Sequence, residues 1–225
     1  MQLERYKDRR HAGMVIAAEL AHLAERRDVV VLALPRGGVP VAYEVARALR
    51  APLDVFVVRK LGVPWQEELA MGAIASGNVR VVNRQVVSEL GLREEDINAV
   101  AEREKVELER RERAYRGGRP APDIRGKTVI LVDDGVATGT TMRAALQALK
   151  QLGPTHVIVA VGVAPTVTVR LLEHDADEVV CPLQPAFMYA ISPWFDRFGQ
   201  TSDDEVRELL SRARAQEGPA AAPPT

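Results

Sequence analysis

The sequence has a single cysteine, few aromatic residues, almost no net charge and no long apolar run. The lone Cys181 excludes an internal disulfide bond and is typical of a reducing compartment. A formal charge of −1 gives no overall basic field that would attract nucleic acid or an anionic membrane. No stretch approaches the roughly 20 apolar residues of a membrane-spanning helix. The charged residues 1–10 are not followed by the apolar core of a secretory signal. We therefore expect a cytoplasmic protein without membrane or nucleic-acid partners.

Several common functional motifs are also missing. The sequence contains no Walker P-loop, no G-x-G-x-x-G dinucleotide fingerprint, no G-x-S-x-G nucleophile elbow and no H-E-x-x-H zinc motif. The four histidines are scattered along the chain without the spacing of metal ligands: His11, His22, His156 and His174. These absences exclude the usual signatures of P-loop ATPases, dinucleotide-dependent dehydrogenases, α/β-hydrolases and zinc proteases.

The hydrophobic pattern predicts an α/β fold. Short apolar runs, which indicate buried strands, alternate with amphipathic helical segments, and this βαβ rhythm is typical of a parallel sheet covered by helices on both faces. We expect one domain over residues 1–215, with a Rossmann-like, doubly wound sheet of about five strands. The predicted strands lie at 28–34, 54–58, from 128, 156–163 and 178–181, and the helices between them at 39–50, 142–152 and 166–173.

Other segments lie outside this rhythm. A hairpin is predicted where apolar runs 70–75 and 79–82 flank Ser76-Gly77-Asn78. The charge-dense stretch 94–113, inside an insertion over 84–118, predicts a long helix with a broad solvated face, and a coiled-coil or dimer arm is the alternative. The remaining predictions are a first helix from near Leu3 to Leu23, a last helix over 203–214 capped by Ser202, and a disordered Ala/Pro-rich tail over 216–225.

The most informative stretch is residues 129–141. Four apolar residues lead into Asp133 and Asp134, and a Gly/Thr-rich loop then precedes a helix. The carboxylates should lie at the carboxyl end of a buried strand, where open α/β sheets bind ligands. Residues 138–141 would offer backbone N–H groups and hydroxyls at a helix N-terminus, which favours phosphate. Because ionised carboxylates accept hydrogen bonds from hydroxyls, the pattern suits a ribose 5-phosphate.

These residues resemble the 13-residue phosphoribosyl-pyrophosphate (PRPP) motif of the type I phosphoribosyltransferases, and every position matches. The resemblance implies the type I fold, a homodimer, a role in nucleotide metabolism, and Mg²⁺-dependent transfer of phosphoribose from PRPP to a nitrogenous base. Asp133 and Asp134 would be catalytic, would hold the ribose hydroxyls, and would lie near Mg²⁺ through PRPP and water. The residues expected to bind the 5-phosphate are Gly135, Val136, Ala137, Thr138, Gly139, Thr140 and Thr141.

Two further loops extend the resemblance. Arg36, Gly37 and Gly38 follow the first strand and resemble the family's pyrophosphate loop, in which a non-proline cis peptide is common. The glycines would allow close approach of the ligand and conformations that other residues avoid. Arg59 and Lys60 begin a segment, residues 59–68, that resembles the mobile catalytic loop and would neutralise departing pyrophosphate. A solvated loop without a catalytic role is the alternative.

The acceptor and the hood are less specified. Residues 182–200, possibly with the N-terminal helix, would form a small hood over the base, and its aromatic residues are either core or a stacking platform: Phe187, Tyr189, Trp194 and Phe195. Enzymes for 6-oxopurines usually carry an Asp where this chain has Ala137, so the acceptor is expected not to be a 6-oxopurine, with adenine a weak guess. A PRPP-binding regulatory protein without turnover is the alternative from another class.

Overall fold

The structure, a computed structural model, describes residues 4–216 and contains the predicted parallel sheet. Five strands pair in the order β2-β1-β6-β7-β8, and every neighbouring pair is parallel. The order reverses between β1 and β6, so the carboxyl ends of these two strands form the central edge where such sheets bind ligands. The strands are β1 Val29–Ala33, β2 Leu53–Val55, β6 Thr128–Asp133, β7 His156–Val161 and β8 Glu178–Val180.

Helices cover both faces of this sheet, as the βαβ rhythm predicted. Along β1, Val29, Val31 and Ala33 join one apolar cluster, whereas Val30 and Leu32 join the other. This alternation follows from the two-residue period of a strand and explains why the strands are apolar throughout. The first cluster includes residues of α1 Arg9–Glu19, α2 Gly38–Leu49, α4 Glu94–Arg116 and α7 Asp203–Gln216; the second includes residues of α5 Thr140–Gln151 and α6 Thr166–Asp175.

A separate antiparallel sheet contains the predicted hairpin and corrects another prediction. Its strands are β3 Val58–Val63, β4 Gln66–Ala75 and β5 Val79–Val82, in that order. Residues 59–68, predicted as a loop, are instead the paired ends of β3 and β4 around a short turn. The physical reason is the alternation of Leu61 and Val63, which are fully buried, with polar or small neighbours. Pro64 lies in the turn between the two strands.

The charged insertion packs on the domain. Helix α4 runs over Glu94–Arg116 and buries Ile97, Val100 and Leu108 in the first apolar cluster, where it contacts β3 and β4. Three of its sparse apolar positions are therefore used in this chain's own core, whereas Val106 is 70% exposed. A short helix that the sequence reading did not include, α3 Arg84–Glu89, precedes it.

The two ends of the described chain differ from expectation in their bounds. Helix α1 begins at Arg9 rather than near Leu3, because the Asp8 side chain caps it by accepting from the His11 N–H (3.0 Å), and a 3-10 turn, Ala21–Leu23, follows it. Ser202 caps α7 as predicted, accepting from the Glu205 N–H (3.1 Å). Helix α7 includes Gln216, and the rest of the predicted tail lies outside the described residues. Among the helices of residues 4–216, none is long and apolar enough to cross a membrane.

Candidate active site

The loop after β1 lies directly beside the acidic residues at the end of β6. Ala33 and Val132 are partners in the parallel register, and the Leu34 N–H donates to the Val132 carbonyl (2.9 Å). The peptide bond between Pro35 and Arg36 is cis, as expected from the resemblance of this loop. Sequence segments almost 100 residues apart thus form one end of the sheet.

The two glycines of this loop are required for a reason other than unusual backbone angles. Gly37 has φ −60° and ψ −33°, which any residue adopts, and Gly38 is the first residue of α2. A Cβ on Gly37 would lie 2.2 Å from Asp134 Oδ2, and one on Gly38 would lie 2.6 Å from the Val132 carbonyl oxygen. The expectation of a special conformation is therefore wrong for both glycines. They allow the loop to contact the acidic pair closely.

Asp133 and Asp134, the acidic pair, are largely enclosed, and donors within the protein compensate only part of their negative charge. Asp133 Oδ1 accepts from the Asp134 N–H (2.8 Å), and Asp134, only 6% exposed, accepts from Arg9 Nε at Oδ2 (2.7 Å). Burial and the neighbouring Asp134 raise the pKa of Asp133 well above its ordinary value. Burial also raises the pKa of Asp134, although the Arg9 guanidinium opposes this shift. A cation or hydroxyl donors placed here would stabilise the ionised pair.

The loop after the acidic pair ends at a helix N-terminus. Gly139 has φ 82°, a left-handed conformation that favours glycine, and it starts α5 by accepting from the Arg143 N–H (2.8 Å). The first N–H groups of a helix lack intrahelical acceptors and attract anions. The Thr138 and Thr140 hydroxyls lie 3.3 Å apart at the same place. The loop therefore brings threonine hydroxyls to a helix N-terminus, as the sequence predicted, and phosphate binding there stays a prediction.

A cavity of about 490 Å³ lies between this helix N-terminus and the antiparallel sheet. Three cationic side chains line it, Lys60, Arg84 and Arg143, and no acidic side chain does, although Arg143 also donates to Asp175 (2.6 Å). Its other polar lining comes mainly from the threonine hydroxyls of Thr138, Thr140 and Thr141. The cavity thus favours an anionic group.

Arg59 and Lys60 are separated by the alternation of β3. Lys60 lines the cavity, whereas Arg59 does not and donates to Glu104 of α4 through Nε (2.9 Å) and Nη2 (2.6 Å). Adjacent residues on a strand point to opposite faces, which explains the difference. Lys60 Nζ also lies 3.3 Å from Glu68 Oε2. Of the predicted pair, the structure therefore brings only Lys60 to the cavity beside residues 138–141, the phosphate loop.

Arg36 is half-exposed on the loop after β1. Its neighbours, on α7 and α4, were not predicted from the sequence. Its Nη1 is 3.9 Å from Asp203 Oδ1, at the start of α7. The Tyr115 hydroxyl donates to the same Asp203 oxygen (2.7 Å). Burial and the Asp203 contact raise the pKa of Tyr115 to about 12, so this hydroxyl stays protonated at neutral pH.

The four aromatic residues of the predicted hood divide into two pairs. Phe187 and Tyr189 are 83% and 101% exposed, whereas Phe195 is buried and Trp194 half-buried. Phe195 packs against Tyr6 (ring centroids 5.3 Å apart), and Tyr6 forms an isolated parallel bridge with it. The N-terminal segment and residues 182–200 therefore contact each other. Of the four aromatics, only the exposed pair is free to contact a base.

Arg9 is the main site residue that the sequence reading missed. It lies 125 positions from Asp134, in the charged stretch 1–10 and inside the predicted first helix. Its guanidinium also stacks on Phe198, with Cζ 3.8 Å from the ring centroid, and donates to the Gly199 carbonyl (2.6 Å). No spacing rule connects these residues, because the contact depends on how α1 packs.

The sequence is also similar to known proteins. The family model of the phosphoribosyl transferase domain matches residues 2–192, so the chain belongs to this family. A Mycobacterium tuberculosis protein named "putative phosphoribosyl transferase" is 48% identical over 208 residues, which cover 92% of this chain and 47% of the relative. A protein of the same description from a second strain matches equally. The chain thus spans about half the length of the curated relatives that it matches.

A solved structure extends the similarity to three dimensions. The crystal structure of TT1426 from Thermus thermophilus is 41% identical and superposes with a TM-score of 0.83. The match covers 92% of this chain and 98% of that one. Fold, motif and family together define a phosphoribosyltransferase domain.

The close contact at Gly37 gives a first testable prediction. Gly37→Ala should lower the free energy of unfolding by about 1–3 kcal/mol, the usual cost of inserting a methyl group into a packed site. The reason is that the new Cβ would overlap the Asp134 carboxylate. Urea-induced unfolding followed by circular dichroism measures the change. Gly199→Ala is the matched control, since a Cβ there meets nothing within 4 Å. Equal stability of both variants would contradict the packing argument.

Proposed function

We propose that this domain is an enzyme that transfers the 5-phosphoribosyl group of PRPP to a nitrogenous base and releases pyrophosphate. The observation that carries the proposal is that the largely enclosed acidic pair is closely followed along the chain by a helix N-terminus, whose first residues line a cavity with cationic side chains. A ligand with vicinal hydroxyls and a phosphate matches these three features together. Family membership supports the same reaction class.

Each part of the donor has a matching part of the site. Asp133 and Asp134 would accept hydrogen bonds from the ribose hydroxyls, and residues 135–141 would bind the 5-phosphate. Arg36, Gly37 and Gly38 would lie against the pyrophosphate. The base nitrogen then uses its lone pair to form a bond to C1 while the bond from C1 to pyrophosphate oxygen breaks, with inversion. Catalysis would consist chiefly of positioning and of stabilising charge that develops on the leaving group.

The donor set at the end of β6 fits Mg²⁺ held partly by the substrate. Within residues 4–216, no protein group donates to Asp133 Oδ2, and no cluster of three potential metal ligands occurs. Mg²⁺ prefers oxygen ligands and keeps several waters, so carboxylates and PRPP oxygens suit it better than an all-protein site. When bound, Mg²⁺ would neutralise charge on the departing pyrophosphate. We propose Asp133 and Asp134 as its nearest protein groups, through PRPP and water.

The acceptor is proposed to be adenine or another base that is not a 6-oxopurine. Ala137 has only a methyl side chain. Its backbone carbonyl accepts a hydrogen bond from the Thr168 hydroxyl (2.7 Å), which fixes the loop. Val136 is buried beside it. No carboxylate is therefore available at this position to contact a protonated purine N7. The exposed Phe187 and Tyr189 are the candidates for stacking on the base.

A regulatory protein that binds PRPP without turnover is the second candidate. The half-length match to the curated relatives leaves room for such a role of the whole protein. The proposed enzyme would be a cytoplasmic homodimer in nucleotide metabolism. An assay of pyrophosphate release from PRPP across a panel of nucleobases distinguishes the two candidates. A regulatory protein would bind PRPP but would release no pyrophosphate with any base.

The first functional prediction concerns the acidic pair. PRPP with Mg²⁺ should raise the melting temperature, because a ligand at 100 times its Kd adds about 2.7 kcal/mol of stability. Asp133→Asn combined with Asp134→Asn should abolish this shift while the fold is kept. Differential scanning fluorimetry measures it, with Asp123→Asn as a control carboxylate elsewhere on the surface. A normal PRPP shift in the double variant would exclude these residues from the donor site.

The second functional prediction uses the separation of Arg59 from Lys60. Lys60→Ala should lower kcat by about tenfold or more and change PRPP affinity much less, since charge on departing pyrophosphate develops late. Arg59→Ala should have a smaller effect on kcat, because its guanidinium is paired with Glu104. Steady-state kinetics with the best base of the panel measures both. The reverse order of effects would show that Arg59 reaches the substrate during turnover.

The third functional prediction concerns the base. Ala137→Asp should improve kcat/KM for hypoxanthine and guanine relative to adenine, because the new carboxylate could accept a hydrogen bond from a purine N7–H. Sites built on hydrogen bonds discriminate between substrates by up to about 10⁴–10⁵. Competition assays with paired bases measure the ratio. Efficient use of guanine by the unchanged protein would contradict this account of specificity.

A further inference from the structure

Arg9 connects three separate parts of the molecule through one side chain. Nε donates to Asp134 Oδ2 (2.7 Å) at the end of β6, and Nη1 donates to the Gly199 carbonyl (2.6 Å). The face of the guanidinium covers the Phe198 ring at 3.8 Å. Both partners of the ion pair are nearly buried, with side-chain exposures of 13% and 9%. The planar fork of arginine is suited to such simultaneous contacts, and the compact ammonium of lysine is not.

Asp134 is restricted from two sides. Arg9 holds Oδ2, and Gly37 lies so close to the same carboxylate that a Cβ there would meet it at 2.2 Å. A buried carboxylate with one oxygen held by a guanidinium has little freedom to rotate. Its remaining oxygen is therefore kept in one place before any ligand binds, which reduces the ordering cost of binding.

The neighbouring basic residues Arg5, before α1, and Arg10, within it, have different partners. Arg10 donates to Glu44 of α2 (2.9 Å), which also accepts from Arg47 (2.6 Å), so this ion pair joins two helices away from the acidic pair. Arg5 lies 3.9 Å from Asp196, and both side chains are exposed. Of these three arginines, only Arg9 reaches the acidic pair.

We infer that Arg9 is a positioning residue for the donor substrate: it orients the Asp134 carboxylate toward the ribose hydroxyls and joins this carboxylate to the hood segment at Phe198 and Gly199. The inference rests on the proposed function and adds a residue that the PRPP motif does not contain. It acts through Asp134 rather than by contact with the ligand. A purely structural ion pair would contribute to stability but not to PRPP affinity.

A double-mutant cycle tests this assignment. In the otherwise unchanged protein, Arg9→Gln should weaken binding of PRPP with Mg²⁺ by about tenfold or more, the size expected for coupled members of one ion-pair network. In an Asp134→Asn background the same change should weaken binding less than about twofold, since the carboxylate that Arg9 orients is gone. Arg9→Lys should recover part of the affinity. Isothermal titration calorimetry on each folded variant measures Kd.

Arg10→Gln is the matched control, because it removes a neighbouring ion pair of the same helix to a buried carboxylate and should leave Kd unchanged. Equal losses from Arg9→Gln in both backgrounds, or a loss of stability with unchanged Kd, would overturn the inference and leave the proposed function intact. If Arg9→Gln does not fold, Arg9→Lys in the two backgrounds completes the cycle, and an unchanged Kd there also overturns it. Failure of the unchanged protein to bind PRPP would overturn the proposed function itself.

Discussion

Two adjacent carboxylates at the end of β6 lie in a largely enclosed position, and this constraint determines much of what surrounds them. Placing like charges side by side away from water is costly unless donors or cations compensate. The chain supplies part of the compensation: the Asp134 N–H donates to Asp133, and Arg9 donates to Asp134. Hydroxyl donors of a ligand and, in the proposed enzyme, Mg²⁺ would supply the rest.

Several elements of the fold lie around this pair and enclose it. The loop after β1 passes so close to the end of β6 that a side chain at Gly37 would overlap the Asp134 carboxylate and one at Gly38 would overlap the Val132 carbonyl. Helix α1 packs on α2 and brings Arg9 to the pair. On the far side of the phosphate loop, the antiparallel sheet closes a cavity lined by basic groups. The site is therefore built from the sheet edge, the N-terminal helix and the antiparallel sheet together.

The sequence predicted the parts of this site that depend on local pattern. The run from 129 to 141 indicated a buried strand, two carboxylates and a helix N-terminus, because each has a short-range signature. The sequence did not predict that Arg59 and Lys60 lie on opposite faces of a strand, since residues 59–68 resemble a loop and β3 was not expected there. It could not predict Arg9, whose contact with Asp134 depends on helix packing across 125 residues. The need for Gly37 was predicted, but its cause, contact with Asp134, is visible only in three dimensions.

In the proposed complex, the acidic pair and the helix N-terminus bind the two ends of one phosphorylated ribose. A crystal structure of the protein with PRPP and Mg²⁺ would show whether they do. The account predicts the ribose hydroxyls on the carboxylates of Asp133 and Asp134, and the 5-phosphate on the backbone N–H groups of residues 138–141. The pyrophosphate should lie against the loop that contains Arg36. Density for PRPP elsewhere on the protein, or a ribose whose hydroxyls do not contact either carboxylate, would contradict the account.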